Sequence, residues 1–294
     1  MPPDRPVRSV AGVDEQEMLA IGVEAFGGPL RRLHLPKPVA GPGEVVVRVG
    51  AAAVNPADLG MVAGRYRWHD PVRFPLVPGY DVAGVDDATG RPVVAFTMHK
   101  STQRGGYAQF VALPADLVVP LPGSVAAVEA ASLPLAGLTA VQTLDAIGEV
   151  DTLLVDGPRG AVGGLVVQLA TARGITVVPP DDPGPVDAAV DVVGGAVARA
   201  AFDRVRDHGR YATVVPEFWV PGGPFGAERG ITPHVLSVRY DRGQLAELAG
   251  QLAAGTLTTR IGAVLPLGDA GEAHRIVGRA AGARRVAGKV VLVP

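Results

Sequence analysis

The chain has 294 residues, 48% hydrophobic, 19% charged and only 5% aromatic, with a formal net charge of -2. That length suggests two domains with cores built mostly from Val, Ala and Leu. The near-neutral balance offers no basic face for nucleic acid or an anionic membrane, and the lack of cysteine excludes disulfides, thiolate nucleophiles and every Cys-containing zinc site. The N-terminal stretch carries Pro and Arg but no apolar signal-peptide core, and no apolar run reaches the ~18 residues of a membrane span. A cytoplasmic protein is therefore expected.

In chain order, the part up to about Pro122 reads as β-rich. Residues 45–49 form an apolar run after the turn Gly41-Pro42-Gly43, and 82–85, 93–96 and 107–113 are further short strands between Gly, Pro and Asp. This pattern predicts a compact barrel-like module. After Pro122 the character changes. Helices are expected over 125–131 and 137–147, then a buried strand over 152–155 and a Gly-rich turn. A helix over 162–173 repeats apolar residues at helical spacing. Strands follow at 175–178, 188–192, 211–215 and 234–238, with helices at 196–206 and 244–254. Such alternation predicts a parallel sheet. The tail holds a strand at 264–267, a helix at 270–281 and a last strand at 289–293, which could return to the first module.

The segment Val155-Asp156-Gly157-Pro158-Arg159-Gly160-Ala161-Val162-Gly163 is a strand, a turn and a helix start. That is the setting of a dinucleotide fingerprint, in which glycines let the backbone approach a pyrophosphate at the positive end of a helix. Pro158 departs from the pattern, because it fixes φ and removes an N–H. Arg159 either pairs with phosphate or blocks it. The alternative is an ordinary Gly-rich strand–helix turn.

Further motifs occur in order: Gly41-Pro42-Gly43-Glu44-Val45, Ala53-Val54-Asn55-Pro56-Ala57-Asp58, Phe74-Pro75-Leu76-Val77-Pro78-Gly79-Tyr80-Asp81, Gly105-Gly106-Tyr107-Ala108, Leu133-Pro134-Leu135-Ala136-Gly137-Leu138-Thr139-Ala140, Asp191-Val192-Val193-Gly194-Gly195 and Gly288-Lys289-Val290-Val291-Leu292. Together they resemble the zinc-independent medium-chain dehydrogenase/reductases, the quinone reductase and enoyl reductase branch. The resemblance implies an α/β fold: a GroES-like β-barrel domain from residues 1–122 and 261–294, and a Rossmann-like parallel-sheet domain from 123–260. It also implies a cleft in which NADPH or NADH delivers hydride to a quinone, enone or enoyl-type small molecule, and a homodimer. Zinc-dependent relatives place Cys and Gly-His-Glu at the positions of Asn55 and Gly79-Tyr80-Asp81, so no metal is expected. The same resemblance assigns Thr139, Gly157, Gly160, Ala161, Val162, Gly163, Gly194 and Lys289 to the cofactor.

Hydride addition to an enone makes an enolate, which needs a proton donor and a polarised carbonyl. Tyr66 falls where the enoyl reductases carry a proton-donating Tyr; it equally fits a loop Tyr packing on the cleft rim. Asn55 matches the family Asn near the nicotinamide, although Asn before Pro is also a turn residue. Asp58 is an acid–base candidate or a helix cap. Tyr80 faces the cleft or is buried with a satisfied hydroxyl. His69 and His99 lie in polar loops and read as solvated.

One departure bears on function. Only PPDDPGPV, residues 179–186, separates two strands of the parallel sheet, whereas a crossover with a helix needs about a dozen residues. The Rossmann-like domain is therefore expected to be truncated by one helix and one strand on its adenosine side. Asp181 or Asp182 sits where an acidic residue can hold a ribose, or else in a solvated turn. Pro216 stands where a small residue near the nicotinamide is expected. Two functions follow: a reductase with a pared adenosine site, or a descendant without cofactor that uses Tyr66, Asp58 or Tyr80 for a non-redox addition or cyclisation.

Overall fold

The computed structural model describes residues 16–66, 68, 70–123, 125–215 and 227–294, so His69 and Pro216 lie outside the described residues. It contains an antiparallel module and a parallel one, as the resemblance implies. No described helix is long and apolar enough to cross a membrane.

A hairpin of β1 (Glu17–Gly22) and β2 (Arg31–Pro36), not anticipated from the sequence, precedes the first module. The module itself is a seven-stranded sheet organised around β3 (Glu44–Val54). One edge of β3 pairs with β4 (Asp81–Asp86), which continues to β5 (Pro92–Phe96) and the short β7 (Val118–Pro120). The other edge is shared: β6 (Phe110–Pro114) takes residues 44–48, and β14 (Lys289–Val293) takes residues 52–54. The register shifts between Val49 and Ala51, and a Cβ on Gly50 would come 3.1 Å from Ala127 Cβ. Such a bulge bends the strand and lets one edge serve two partners. The tail thus returns to the first module, with β13 (Ile261–Pro266) parallel to β14.

The antiparallel register positions the site. Val290 lies opposite Val54, so Lys289 arrives beside Asn55, and Asp81 lies opposite Ala53. Three polar residues thus emerge at the ends of three adjacent strands. Asn55 starts the helix α1 (Pro56–Val62), whose first residue is Pro, the residue best suited to that position.

The second module contains α3 (Ala127–Ala131), α4 (Pro134–Ile147) and a five-stranded parallel sheet. Its strand order is β12 (His234–Val235), β11 (Val205–Thr213), β10 (Val186–Asp191), β8 (Thr152–Val155), β9 (Thr176–Val178). The helix α5 (Ala161–Ala172) joins β8 to β9, and α6 (Gly195–Asp203) joins β10 to β11. The remaining helices are a short turn α2 (His99–Thr102), α7 (Arg242–Ala253) and α8 (Ala270–Val277). β9 is the edge strand, and residues 179–185 run without a helix from it to β10. Arg204 clamps this connector, donating to the carbonyls of Pro180 at 3.1 Å and Gly184 at 2.9 Å.

Several element boundaries differ from the sequence reading; the strand expected over 211–215 begins at Val205, and the helix expected over 270–281 ends at Val277. The expected helix 196–206 stops at Asp203, because Val205 already pairs with Val186 in the sheet. The strand expected over 234–238 is paired only at His234 and Val235. One core cluster runs through both modules, joining Ala51, Met61 and Tyr80 to Leu133, Leu138 and Leu153.

Candidate active site and nucleotide cradle

At the C-terminal end of β8 the chain turns at Gly157, whose φ is +61°, a conformation that favours glycine. Gly163 then packs onto that turn so closely that a Cβ would stand 2.3 Å from the Gly157 carbonyl oxygen. Gly160 caps α5 with no side-chain acceptor, so the first amides of this 12-residue helix have neither an intrahelical nor a capping partner. Pro158 lines a groove beside β9, whereas Arg159 lines a hollow of about 380 Å³ over the turn. The exposed Arg279 and Arg285, from the segment between α8 and β14, rim the same hollow. None of these three guanidinium groups forms an ion pair with a described carboxylate. Tight glycine backbone, free amides and three cations fit a pyrophosphate.

Next to this hollow lies a cleft of about 460 Å³ between the modules. Its walls are mostly apolar: Leu59, Leu135, Val162, Val192, Val215 and Leu236 among others. Asn55, Tyr66 and Thr139 supply polar atoms. The Thr139 hydroxyl donates to the Leu135 carbonyl at 2.6 Å. Tyr66 lies over Gly60, where a Cβ would come within 2.9 Å of its hydroxyl oxygen, and Lys100 Nζ sits 5.4 Å from its ring centre. Burial, then the charge of Asp58, pushes the Tyr66 phenol above its ordinary range.

Beneath the cleft is a buried polar network. Lys289 Nζ donates to Asn55 Oδ1 and lies 3.3 Å from Asp81 Oδ2, and Asn55 Nδ2 donates to the same Asp81 oxygen at 3.0 Å. The other Asp81 oxygen accepts from the Leu135 amide at 2.9 Å, so this carboxylate also complements the N-terminus of α4. Burial pushes the Asp81 carboxyl up, and the Lys289 charge opposes that. Asp58 is fully buried and accepts from the amides of Asn55 at 2.8 Å and Tyr80 at 3.1 Å. The Tyr107 hydroxyl donates to it at 3.4 Å and contacts His274 Nε2 at 3.2 Å. Desolvation raises Asp58 to about 7.

The structure sorts the residues singled out from the sequence. Asn55, Tyr66 and Thr139 line the cleft; Ala161 and Val162 line the cradle beside the glycines; Lys289 lies under the cradle, bonded to Asn55. Gly194, at φ +82°, caps α6 and donates to Asp191. Asp58 and Tyr80 are not cleft walls: Asp58 is sealed below α1, and the Tyr80 hydroxyl donates to Met61 Sδ at 3.7 Å while its ring stacks on Phe96. His99 corrects the expectation of a solvated loop residue. It is fully buried, with Nε2 on the Val77 carbonyl at 2.5 Å, and burial lowers it to about 4. Asp181 and Asp182 are exposed, and Asp182 closes its own turn by accepting from the Gly184 amide at 2.8 Å.

Sequence reasoning missed Arg279, Arg285 and a pair of buried acids. Asp156 follows β8 and Asp191 ends the neighbouring β10, a repeat visible as Leu-Val-Asp and Ala-Val-Asp. Asp156 Oδ1 accepts from the Val192 amide at 2.7 Å, and its Oδ2 is buried without a partner among the described residues. Burial, then the neighbouring carboxyl of Asp191, raises Asp156 to about 8. Among the described residues no three His, Asp or Glu side chains group as a metal site.

Comparison with known proteins agrees with this architecture. Residues 41–123 match the alcohol dehydrogenase GroES-like domain, and residues 172–292 match the zinc-binding dehydrogenase family. A chloroplast envelope quinone oxidoreductase homolog of Arabidopsis thaliana is 35% identical over 173 residues, 52% of each chain. A 2-methylene-furan-3-one reductase of Solanum lycopersicum is 37% identical over 142 residues, 43% of this chain and 36% of that one. The chain thus aligns with about half the length or less of these curated relatives. A mycobacterial protein solved in complex with NADPH superposes with a TM-score of 0.77 at 26% identity, covering 94% of this chain and 100% of that one. With both domain types matched and the ordered motifs in their expected places, the chain belongs to the medium-chain dehydrogenase/reductase superfamily, on its quinone oxidoreductase-like side.

Proposed function

We propose that this protein is a zinc-independent NAD(P)H-dependent reductase of a quinone, enone or enoyl-type small molecule. The observation that carries this reading is a shared wall. Asn55, Val162, Val192, Val193 and Arg279 line both the cradle and the apolar cleft, so one extended ligand can lie across the two. A bound nicotinamide supplies the hydride. The chain's own residues do the rest. The cradle amides and arginines hold phosphate, the Val and Leu walls exclude water, and Asn55, held by Lys289 and Asp81, presents a fixed amide. Tyr66, on the cleft wall and protonated at neutral pH, is the proton donor of this reading as the substrate gains charge.

Loss of nicotinamide absorbance with a panel of quinones and enones tests this reading. Turnover with at least one acceptor supports it, and Tyr66→Phe is then expected to lower kcat about 10²-fold with cofactor binding unchanged. A second reading, a cofactor-free addition or cyclisation in the same cleft, draws on the lost strand–helix unit. It requires that neither nicotinamide cofactor binds.

A further inference from the structure

Resting on the cofactor reading above, the geometry points to a site that recognises only the mononucleotide half of its cofactor: nicotinamide, ribose and the adjoining phosphates, with the adenosine half and its 2′-phosphate left unread. Ligands of open α/β sheets lie across the carboxyl ends of the strands at the point where the strand order reverses. Here that point is between β8 and β10. The apolar cleft is walled by residues that follow β10, β11 and β12, namely Val192, Val193, Val215 and Leu236. A dinucleotide with its nicotinamide in that cleft and its phosphates on the cradle must extend its adenosine towards β9.

On that side the equipment is missing. β9 has three residues and, among the described residues, no strand beyond it, and the chain returns at once through residues 179–185. A further right-handed crossover would have laid its helix next to α5. That face is instead an open groove lined by Val167, Thr171, Val177 and Pro179. No Lys or Arg occurs between Arg173 and Arg199, so β9 and its connector bring no cation to a 2′-phosphate. Arg173 is paired with Asp145 at 2.8 Å, and Arg204 is spent on connector carbonyls. The exposed charges at the tip are the carboxylates of Asp181 and Asp182, which repel a phosphate. Among the described residues, the cations lining the hollow are Arg159, Arg279 and Arg285 around the cradle and Lys289 beneath it.

The test is calorimetric titration of the full chain with nicotinamide mononucleotide, NAD, NADP and ADP-ribose. The expected pattern is mononucleotide affinity within about tenfold of NAD, ADP-ribose at least about tenfold weaker than the mononucleotide, and NADP no tighter than NAD. Arg285→Gln is expected to weaken the mononucleotide and NAD by the same factor, about 5–10-fold. ADP-ribose binding as tightly as NAD, or NADP binding tenfold tighter than NAD, overturns the inference and leaves the reductase reading standing. If none of the four binds at millimolar concentration, the reductase reading falls and the inference falls with it.

Discussion

The two edges of the parallel sheet are unequal, and the inequality shows which parts of a nucleotide fold are dispensable to its packing. On the β12 side every strand is followed by structure that closes the cleft. On the β9 side the described sheet ends at a three-residue strand and a helix-free connector, yet β9 remains paired to β8 and Arg204 holds the connector. An edge unit packs on one neighbour only, so its removal leaves the central strands covered. The cradle cannot be trimmed in this way, because Gly160 donates to the Gly157 carbonyl and Gly163 packs too close to it for a Cβ.

The comparison can be broken most severely at that cradle. Gly163→Val would force a side chain into backbone 2.3 Å away, and we expect loss of nucleotide binding by more than about 100-fold in titration, or failure to fold seen as a lost thermal transition. Next comes the network beneath the cleft. Lys289→Met strips Asp81 of its buried cation, and an unpaired buried charge costs about 3–5 kcal/mol in chemical denaturation. Adding Asp81→Leu to Lys289→Met is expected to recover much of this, which would mark the pair as one unit. Arg204→Ala tests the pared edge. It frees the connector carbonyls and should cost about 1–2 kcal/mol while leaving the affinity for nicotinamide mononucleotide unchanged.

A further effect, set by pH rather than by size, concerns the acids Asp156 and Asp58. Both hold their protons more tightly in the fold, at about 8 and about 7, than in the unfolded chain at about 3.8. A raised acid contributes stability below pH 4 that is lost as pH rises through the folded value. Asp156→Asn should therefore gain thermal stability relative to the parent progressively from about pH 4 to 8, the gain levelling off above that. Buried His99 and half-buried His274, both lowered to about 4, act in the opposite sense, with stability present above about pH 6.5 and lost on acidification. A pH series of melting curves for parent and variant separates the two.

Much of this molecule was written in local sequence. Alternating short strands and Gly-Pro turns announced the antiparallel module, and the period of Val162, Leu165, Val166 and Leu169 announced α5, because side-chain periodicity follows directly from backbone geometry. The length of a connector is also local, so the missing unit between β9 and β10 could be read from eight residues alone. The ordered motifs supplied the superfamily, and with it Asn55, Tyr66 and Thr139 as cleft residues.

Tertiary structure decided what periodicity does not encode. The sequence does not say that Lys289 meets Asn55 and Asp81, since that contact spans 234 residues and follows only from the β14–β3 register. Nor does it show that Tyr80 turns to Met61, that His99 is buried, or that Arg279 and Arg285 come to rim the glycine turn. Each of these depends on how separate segments pack in three dimensions, which local periodicity does not encode. Burial also sets the protonation of Asp58 and Asp156, through desolvation and neighbouring charges that come from distant parts of the chain.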